Sequence, residues 1–365
     1  MLKWLKQAGS GFLVGAANII PGISGGTLLF LLGLYERSMT AISNIKPNSI
    51  KTILRYALGS VLGNQRKENR KNFIEQIHAL DIPFLISLVS GAGLAILLLS
   101  GVMKFLLEQH FTNTYAFFFG LIAISAAMSS RMLKVKKPIH IIHVIVGIAL
   151  TVALTASVDP AVNTQAKIER DRDRIASQTG VSSDESSGVR LKYTGRYSGK
   201  ELAAGAVSGA IAICAMILPG LSGSLVFILM GQYHEVISAV SGLKTLQLDY
   251  FVFLTIMSIG MGLGILIFAR AINFIYKRFY DDTIALMIGL VIGSLYALWP
   301  FKRILIMDQY VKNGGGITLI ESTTIQTNIN ILPSDIATML PALLFCGLGI
   351  GIMIALDRLA LKRKA

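Results

Sequence analysis

Apolar positions in this chain fall into long unbroken runs, not into the spaced stripes of a soluble helix. Runs at 82–107, 114–130, 139–157, 250–276, 283–299 and 333–356 are each long enough, at ~1.5 Å rise per residue, to cross or nearly cross a ~30 Å hydrocarbon core. Two further apolar stretches are cut in the middle. Pro21-Gly22-Ile23-Ser24-Gly25 interrupts the first and Pro219-Gly220-Leu221-Ser222-Gly223 the second, leaving arms of about ten residues, or ~15 Å, half of such a core. Pro21 and Pro219 supply no N–H and push the residue before them out of the α region, while the neighbouring glycines tolerate a turn. The pattern predicts two re-entrant helical hairpins, over 10–35 and 203–240, each turning at mid-membrane. Bare backbone persists at that depth only where it is packed in protein or lines a cavity.

The two halves of the chain are copies of one another. At the spacing that carries Pro21 to Pro219, Ser10/Ser208, Gly11/Gly209, Ala17/Ala215, Gly22/Gly220, Ser24/Ser222, Gly25/Gly223, Gly33/Gly231 and Tyr35/Tyr233 are identical. At the spacing that carries Gly91 to Gly260, so are Phe84/Phe253, Gly93/Gly262, Thr114/Thr283, Gly120/Gly289 and Ser125/Ser294. The expected architecture is an all-α polytopic membrane protein with a first repeat at 1–157, a polar outer loop at 158–200 and a second repeat at 201–365. One hairpin plus three spans per half is an odd number of crossings, so the second half is expected to be inverted. The hairpins then approach each other from opposite faces, as at the substrate sites of many secondary transporters.

Composition agrees with a membrane protein: 53% of residues are hydrophobic and 15% charged, with mean hydropathy +0.63. The formal charge of +14 sits in short clusters beside apolar runs, as the positive-inside rule produces, and not in a separate basic domain, which argues against nucleic acid as a partner. With both termini cytoplasmic, the clusters at 65–71, 131–137, 277–278 and the C-terminus all fall inside. Shorter segments are expected as an interfacial stretch at 53–63, a charged loop at 65–71, a short solvated helix at 167–174 and a polar loop at 301–332. Lys3, Lys6 and the following apolar run resemble a signal peptide, but the internal copy of that design favours a structural segment. Cys214 and Cys346 lie in apolar runs and read as core residues, with no cofactor or metal implied.

Unpaired N–H groups at a helix start favour an anion. The candidate substrate-binding residues are therefore Gly22, Ser24 and Gly25, their copies Gly220, Ser222 and Gly223, and the amide of Asn18. Charges flanking the hairpins extend the set, because intramembrane charge is usually functional. Arg37 and Arg270 suit a phosphate, while Glu36 and Glu235 suit pairing with those arginines or carrying a coupling proton. Gly-x-Ser-Gly also occurs in intramembrane hydrolases, but a hydrolase needs a histidine facing one nucleophile. Here the motif occurs twice behind a proline, His78 and His110 read as loop residues, and His140 and His143 lie at a basic span end.

The chain resembles the bacterial polyprenyl-phosphate transporter family, and more distantly DedA-like proteins. The resemblance rests on Ala17-Asn18-Ile19-Ile20-Pro21-Gly22-Ile23-Ser24-Gly25-Gly26-Thr27, Gly33-Leu34-Tyr35-Glu36, Ala116-Phe117-Phe118-Phe119-Gly120-Leu121-Ile122, Leu218-Pro219-Gly220-Leu221-Ser222-Gly223 and Leu298-Trp299-Pro300. It implies return of undecaprenyl phosphate from the outer to the inner leaflet of the bacterial cytoplasmic membrane, for reuse of the lipid carrier. The implied partners are the lipid phosphate and the membrane; a coupling proton or sodium ion and a homo-oligomer are left open. A channel or exchanger for a small soluble anion is the alternative.

Overall fold

The computed structural model describes residues 2–18, 24–62, 65–135, 137–157, 197–242, 248–313, 316–333 and 335–362. Pro21 and Gly22, and the solvated helix expected at 167–174, lie outside them. The described residues form helices with one two-stranded ribbon. The first half contains α1 (Leu2–Asn18), α2 (Gly25–Leu31), α3 (Tyr35–Ser43), α4 (Pro47–Leu62), α5 (Arg66–Ala79), α6 (Ile82–Gln109), α7 (Phe111–Ser129) and α8 (Pro138–Ala156). The second contains α9 (Gly199–Ile217), α10 (Gly223–Leu229), α11 (Tyr233–Gly242), α12 (Leu248–Arg278), α13 (Tyr280–Ala297), β1 (Lys302–Asn313), β2 (Gly316–Asn330) and α14 (Ile336–Lys362). Among the described residues, seven helices are long and apolar enough to cross a membrane, and the chain is a multi-pass membrane protein.

Local sequence explains where helices start and stop. Pro138 opens α8 and a proline lies in the first turn of α6, where a missing N–H leaves no bond unmade. Ser198 and Glu201 cap α9 reciprocally: Ser198 N–H donates to Glu201 Oε2 (2.6 Å) and Glu201 N–H to Ser198 Oγ (3.3 Å). At the second break α9 stops at Ile217, Gly220 takes φ +83°, which a side chain rarely adopts, and α10 begins at Gly223. There α10 turns back on α9, so closely that a Cβ on Gly223 would lie 3.1 Å from Ala212 O and against Met216.

Corresponding contacts pack the two halves. A Cβ on Gly91 of α6 would collide with Ala8 O of α1, and one on Gly260 of α12 with Ala206 O of α9. Likewise Gly120 of α7 presses on Cys346 of α14, and Gly289 of α13 on Val144 of α8. Each half therefore holds its own first helix against its first long one, and lends its next helix to the other half. Small residues let these backbones approach where no hydrophobic driving force separates helix from lipid. More than half of α13 is buried, the largest share among the seven candidate spans, and Met287, Leu290 and Val291 are almost fully enclosed. At the two ends of α12, different elements dock. Thr40 Oγ1 donates to Asn273 Oδ1 (3.1 Å), Asn273 Nδ2 to Ser43 Oγ (2.9 Å) and Arg270 Nη2 to Ile45 O (2.8 Å), fastening α3 to the C-terminal part of α12. Val236 and Ala239 of α11 pack with Tyr250 and Phe253 near its N-terminal end.

Three expected segments differ. The charged loop at 65–71 is helical, the first turns of α5; its charges are solvated on a helix as readily as on a loop, and Lys71 and Glu75 pair at i,i+4 (4.0 Å). Residues 53–62 of the expected interfacial stretch belong to the longer α4, which Pro47 opens. The polar loop at 301–332 is an antiparallel ribbon running from Lys302↔Asn330 to Asn313↔Gly316. In β2 the β-branched Ile325, Thr327 and Ile329 alternate with Gln326, Asn328 and Asn330, a strand pattern that overall polarity conceals. Its base is tied down by Lys302 Nζ, which donates to Tyr296 O (3.1 Å) and Asn330 Oδ1 (2.5 Å), and burial pushes the Lys302 ammonium down to about 8.

Gly260→Ala is expected to lower the thermal midpoint in detergent by the equivalent of about 1–3 kcal/mol of overpacking. Gly262→Ala, where a Cβ meets nothing within 4 Å, is expected to be neutral or slightly stabilising. Since Lys302 holds its proton less tightly folded than unfolded, its contribution to stability increases as pH rises from about 8 toward the ordinary lysine range. Lys302→Met should remove that slope from midpoints measured across this interval.

Candidate functional site

The two breaks meet. Ser24, extended at φ −106° and ψ 147°, caps α2 by accepting Thr27 N–H on its Oγ (3.3 Å). Its hydroxyl reaches across to Leu218 O (3.1 Å), in the other break, and contacts Thr27 Oγ1 (3.2 Å). In return Gly220 N–H donates to Thr27 Oγ1 (2.8 Å). A Cβ on Gly26 would strike Ile217 O, so the start of α2 lies directly on the end of α9. Ser24 and Thr27 are both buried. The side chains of the first break thus satisfy polar backbone that the second leaves exposed.

The two copies differ in how open they are. At the first, Gly25 N–H donates to Asn18 Oδ1 (2.7 Å), so both side chains of the motif are engaged inside the protein. In the second, Met216 stands where Asn18 does and Leu225 where Thr27 does. Ser222 makes no side-chain cap to α10 and instead shares a hydrogen bond with exposed Ser224 (2.8 Å). Hydroxyls accessible to a ligand are therefore those of Ser222 and Ser224.

The charged candidates lie elsewhere. Arg37 is held by Asp81 through two bonds, Nε to Oδ2 (2.6 Å) and Nη2 to Oδ1 (2.8 Å), with its guanidinium 4.0 Å over the Phe84 ring. Both partners keep more than a third of their side-chain surface exposed, and with Glu36, Thr40 and Asn44 they line a cavity of about 310 Å³. Arg270 binds the carbonyl that follows α3. Glu235 lies in the first turn of α11. The structure therefore brings together Asn18, Ser24, Gly25 and Gly220, puts Ser222 and Gly223 beside them, and holds Glu36 and Arg37 in a separate cavity. Gly22 is outside the described residues.

Asp81, Thr27 and Ser224 were not among the candidates from sequence. Thr27 stands three residues after a capping serine, and Asp81 two before a proline at a helix start, so both carried a local signal of helix capping. Asp81 also adopts the left-handed region at φ 53°, which aspartate tolerates better than most residues.

A family model described as undecaprenyl phosphate translocase-like matches residues 14–314. A protein of Vibrio cholerae serotype O1, named polyprenyl-phosphate transporter, is 28% identical over 362 residues, covering 99% of this chain and 98% of its own. A Staphylococcus aureus protein of the same name is 28% identical over 303 residues, covering 82% and 87%. No solved structure matches the chain significantly.

Thr27→Val preserves shape but leaves the Gly220 N–H without its acceptor. An unmet buried donor costs about 1–3 kcal/mol, and the thermal midpoint is expected to fall accordingly, with Thr27→Ser restoring most of it.

Proposed function

The chain belongs to the undecaprenyl phosphate translocase-like family, and from that premise we propose that it carries a polyprenyl phosphate from the outer to the inner leaflet of the bacterial cytoplasmic membrane. The observation that carries this reading is the contact between the two breaks, Ser24 to Leu218 O and Gly220 to Thr27, with the open hydroxyls of Ser222 and Ser224 alongside. A lipid phosphate needs a polar passage for its head and can leave its tail in the bilayer throughout. Interrupted helices packed on each other provide polar groups at a depth where continuous helices would bury all of theirs.

An inverted arrangement of the halves is supported by α12. At 31 residues it is about 46 Å long, and it carries α3 on its C-terminal part and α11 near its N-terminal end. The far ends of the two interrupted segments thus lie toward opposite ends of one spanning helix, with the breaks between them. Lys134, Lys137, Lys277 and Arg278 gather at the end where α12 finishes, which the positive-inside rule assigns to the cytoplasm. Both termini fall there too.

Within this reading Ser222 and Ser224 receive the head at the break, and Arg37 takes it toward the cytoplasmic side. Asp81 occupies the guanidinium fork in the same two-pronged way that a phosphate would. A phosphate therefore competes with Asp81 for Arg37, which keeps the arginine oriented and lets the lipid leave again.

Proteoliposomes loaded with a fluorescent prenyl phosphate, quenched from one side, report its movement between leaflets. The wild-type protein is expected to speed this movement. Arg37→Ala, or Ser222→Ala with Ser224→Ala, is expected to slow it at least tenfold without loss of folded protein. Arg37→Lys should recover little, since an ammonium lacks the planar fork. Unchanged rates in these variants would remove the assigned residues; uptake of a soluble anion with no lipid movement would replace the function.

A further inference from the structure

Away from the breaks, α8 and α13 run parallel and in close register, Gly289 against Val144 and Gly293 against Ile148, with Thr151 Oγ1 donating to Leu290 O (3.3 Å). Their N-termini consequently meet at one end, beside the end of α12. A cavity of about 490 Å³ lies there, lined among others by Lys137, His140, His143, Lys277, Arg278 and Asp282.

Its acidic groups are already engaged. Asp281 accepts the backbone N–H groups of Lys134 (2.7 Å) and Val135 (3.3 Å). Asp282 Oδ1 faces two imidazoles, His140 Nε2 at 3.4 Å and His143 Nδ1 at 3.5 Å. His140 Nδ1 accepts Lys137 N–H (3.2 Å), which fixes the orientation of the ring. The His140 side chain is only 7% exposed, so this arrangement is built into the fold.

The cationic groups are in the opposite condition. Among the described residues, the side-chain nitrogens of Lys137, Lys277 and Arg278 form no ion pair or hydrogen bond given by the structure. The first turn of α8 holds no acidic residue, so the positive end of that 19-residue helix also faces the cavity uncompensated. Three cations and the start of α8 outweigh the two carboxylates, which lie in the first turn of α13, and the balance favours an anion. Arg278 can grip two of its oxygens while the lysines act as point charges.

We propose that this cavity is a second binding site, specific for a terminal phosphate group, the chemistry shared by a prenyl phosphate head and free phosphate. An aromatic ladder separates it from the Glu36–Arg37 cavity: Tyr280 to Tyr276 with ring centroids 5.0 Å apart, then Tyr276 to Tyr35 at 6.5 Å. Only the lipid as a source of the phosphate rests on the transport reading; the site itself does not.

Calorimetric titration of the purified full chain in neutral detergent at low salt, with inorganic phosphate, farnesyl phosphate and farnesol, tests this. Inorganic phosphate is expected to bind, and Lys277→Gln with Arg278→Gln, two exposed positions, to weaken it at least tenfold. His143→Gln should weaken it less, and the loss caused by the Lys277/Arg278 variant should be the same when measured in an Arg37→Ala background, which assigns that loss to this cavity. If farnesyl phosphate competes with phosphate and farnesol does not, the lipid head is the occupant; if farnesyl phosphate does not compete, the site is one for free phosphate. Absence of phosphate binding to the wild type, or equal affinity in the Lys277/Arg278 variant, would overturn the proposal even if lipid movement is found. Loss of lipid movement with phosphate binding intact would overturn the transport reading and leave this site standing.

Discussion

Backbone polar groups cannot be left bare in hydrocarbon, and that constraint governs this protein from the two prolines outward. Interrupting a helix within the membrane frees N–H and C=O groups whose exposure to lipid would cost several kcal/mol each. Here much of that need is met by bringing the two interruptions together. Ser24 reaches the carbonyl of Leu218, and the N–H of Gly220 reaches Thr27. The second break is not complete alone, so the second half of the chain is committed to the first at this point.

The same mutual dependence extends through the packing. Gly91 and Gly260 seat corresponding helices within each half, while Gly120 and Gly289 seat helices between halves. Exchange of α7 and α13 across the molecule surrounds the breaks with protein and turns the outer faces of the remaining long helices toward lipid. Exposed side chains such as Leu97, Ile141, Ile267 and Leu344 then need no protein partner.

Duplication has nonetheless produced two unequal sites. Asn18 and Thr27 close the first break with their own side chains, whereas the apolar Met216 and Leu225 cannot, leaving Ser222 and Ser224 open. In the proposed transport this division is useful: one copy supplies rigid support and the other supplies groups still able to exchange partners. Arg37 shows the same division in the separate cavity, held by Asp81 at a surface both of them still share with solvent.

Much of this was legible in the order of residues. Membrane-spanning runs announce themselves by length and apolar content, because the bilayer imposes one thickness on every helix. Pro219 with Gly220, and the spacing that repeats it from Pro21 with Gly22, mark interruption through backbone stereochemistry that no neighbour can reverse. The ribbon at Lys302–Asn330 was missed because polar residues masked the period of two in β2 and β1 does not alternate. Pairing over distance was decided only in three dimensions: that Arg37 faces Asp81, that Arg270 holds the carbonyl of Ile45, and that His140, His143 and Asp282 converge. Local sequence sets what a residue can do, since that depends on its own chemistry and its chain neighbours. Which groups remain free for a ligand depends on partners brought from tens or hundreds of positions away, and only packing chooses those.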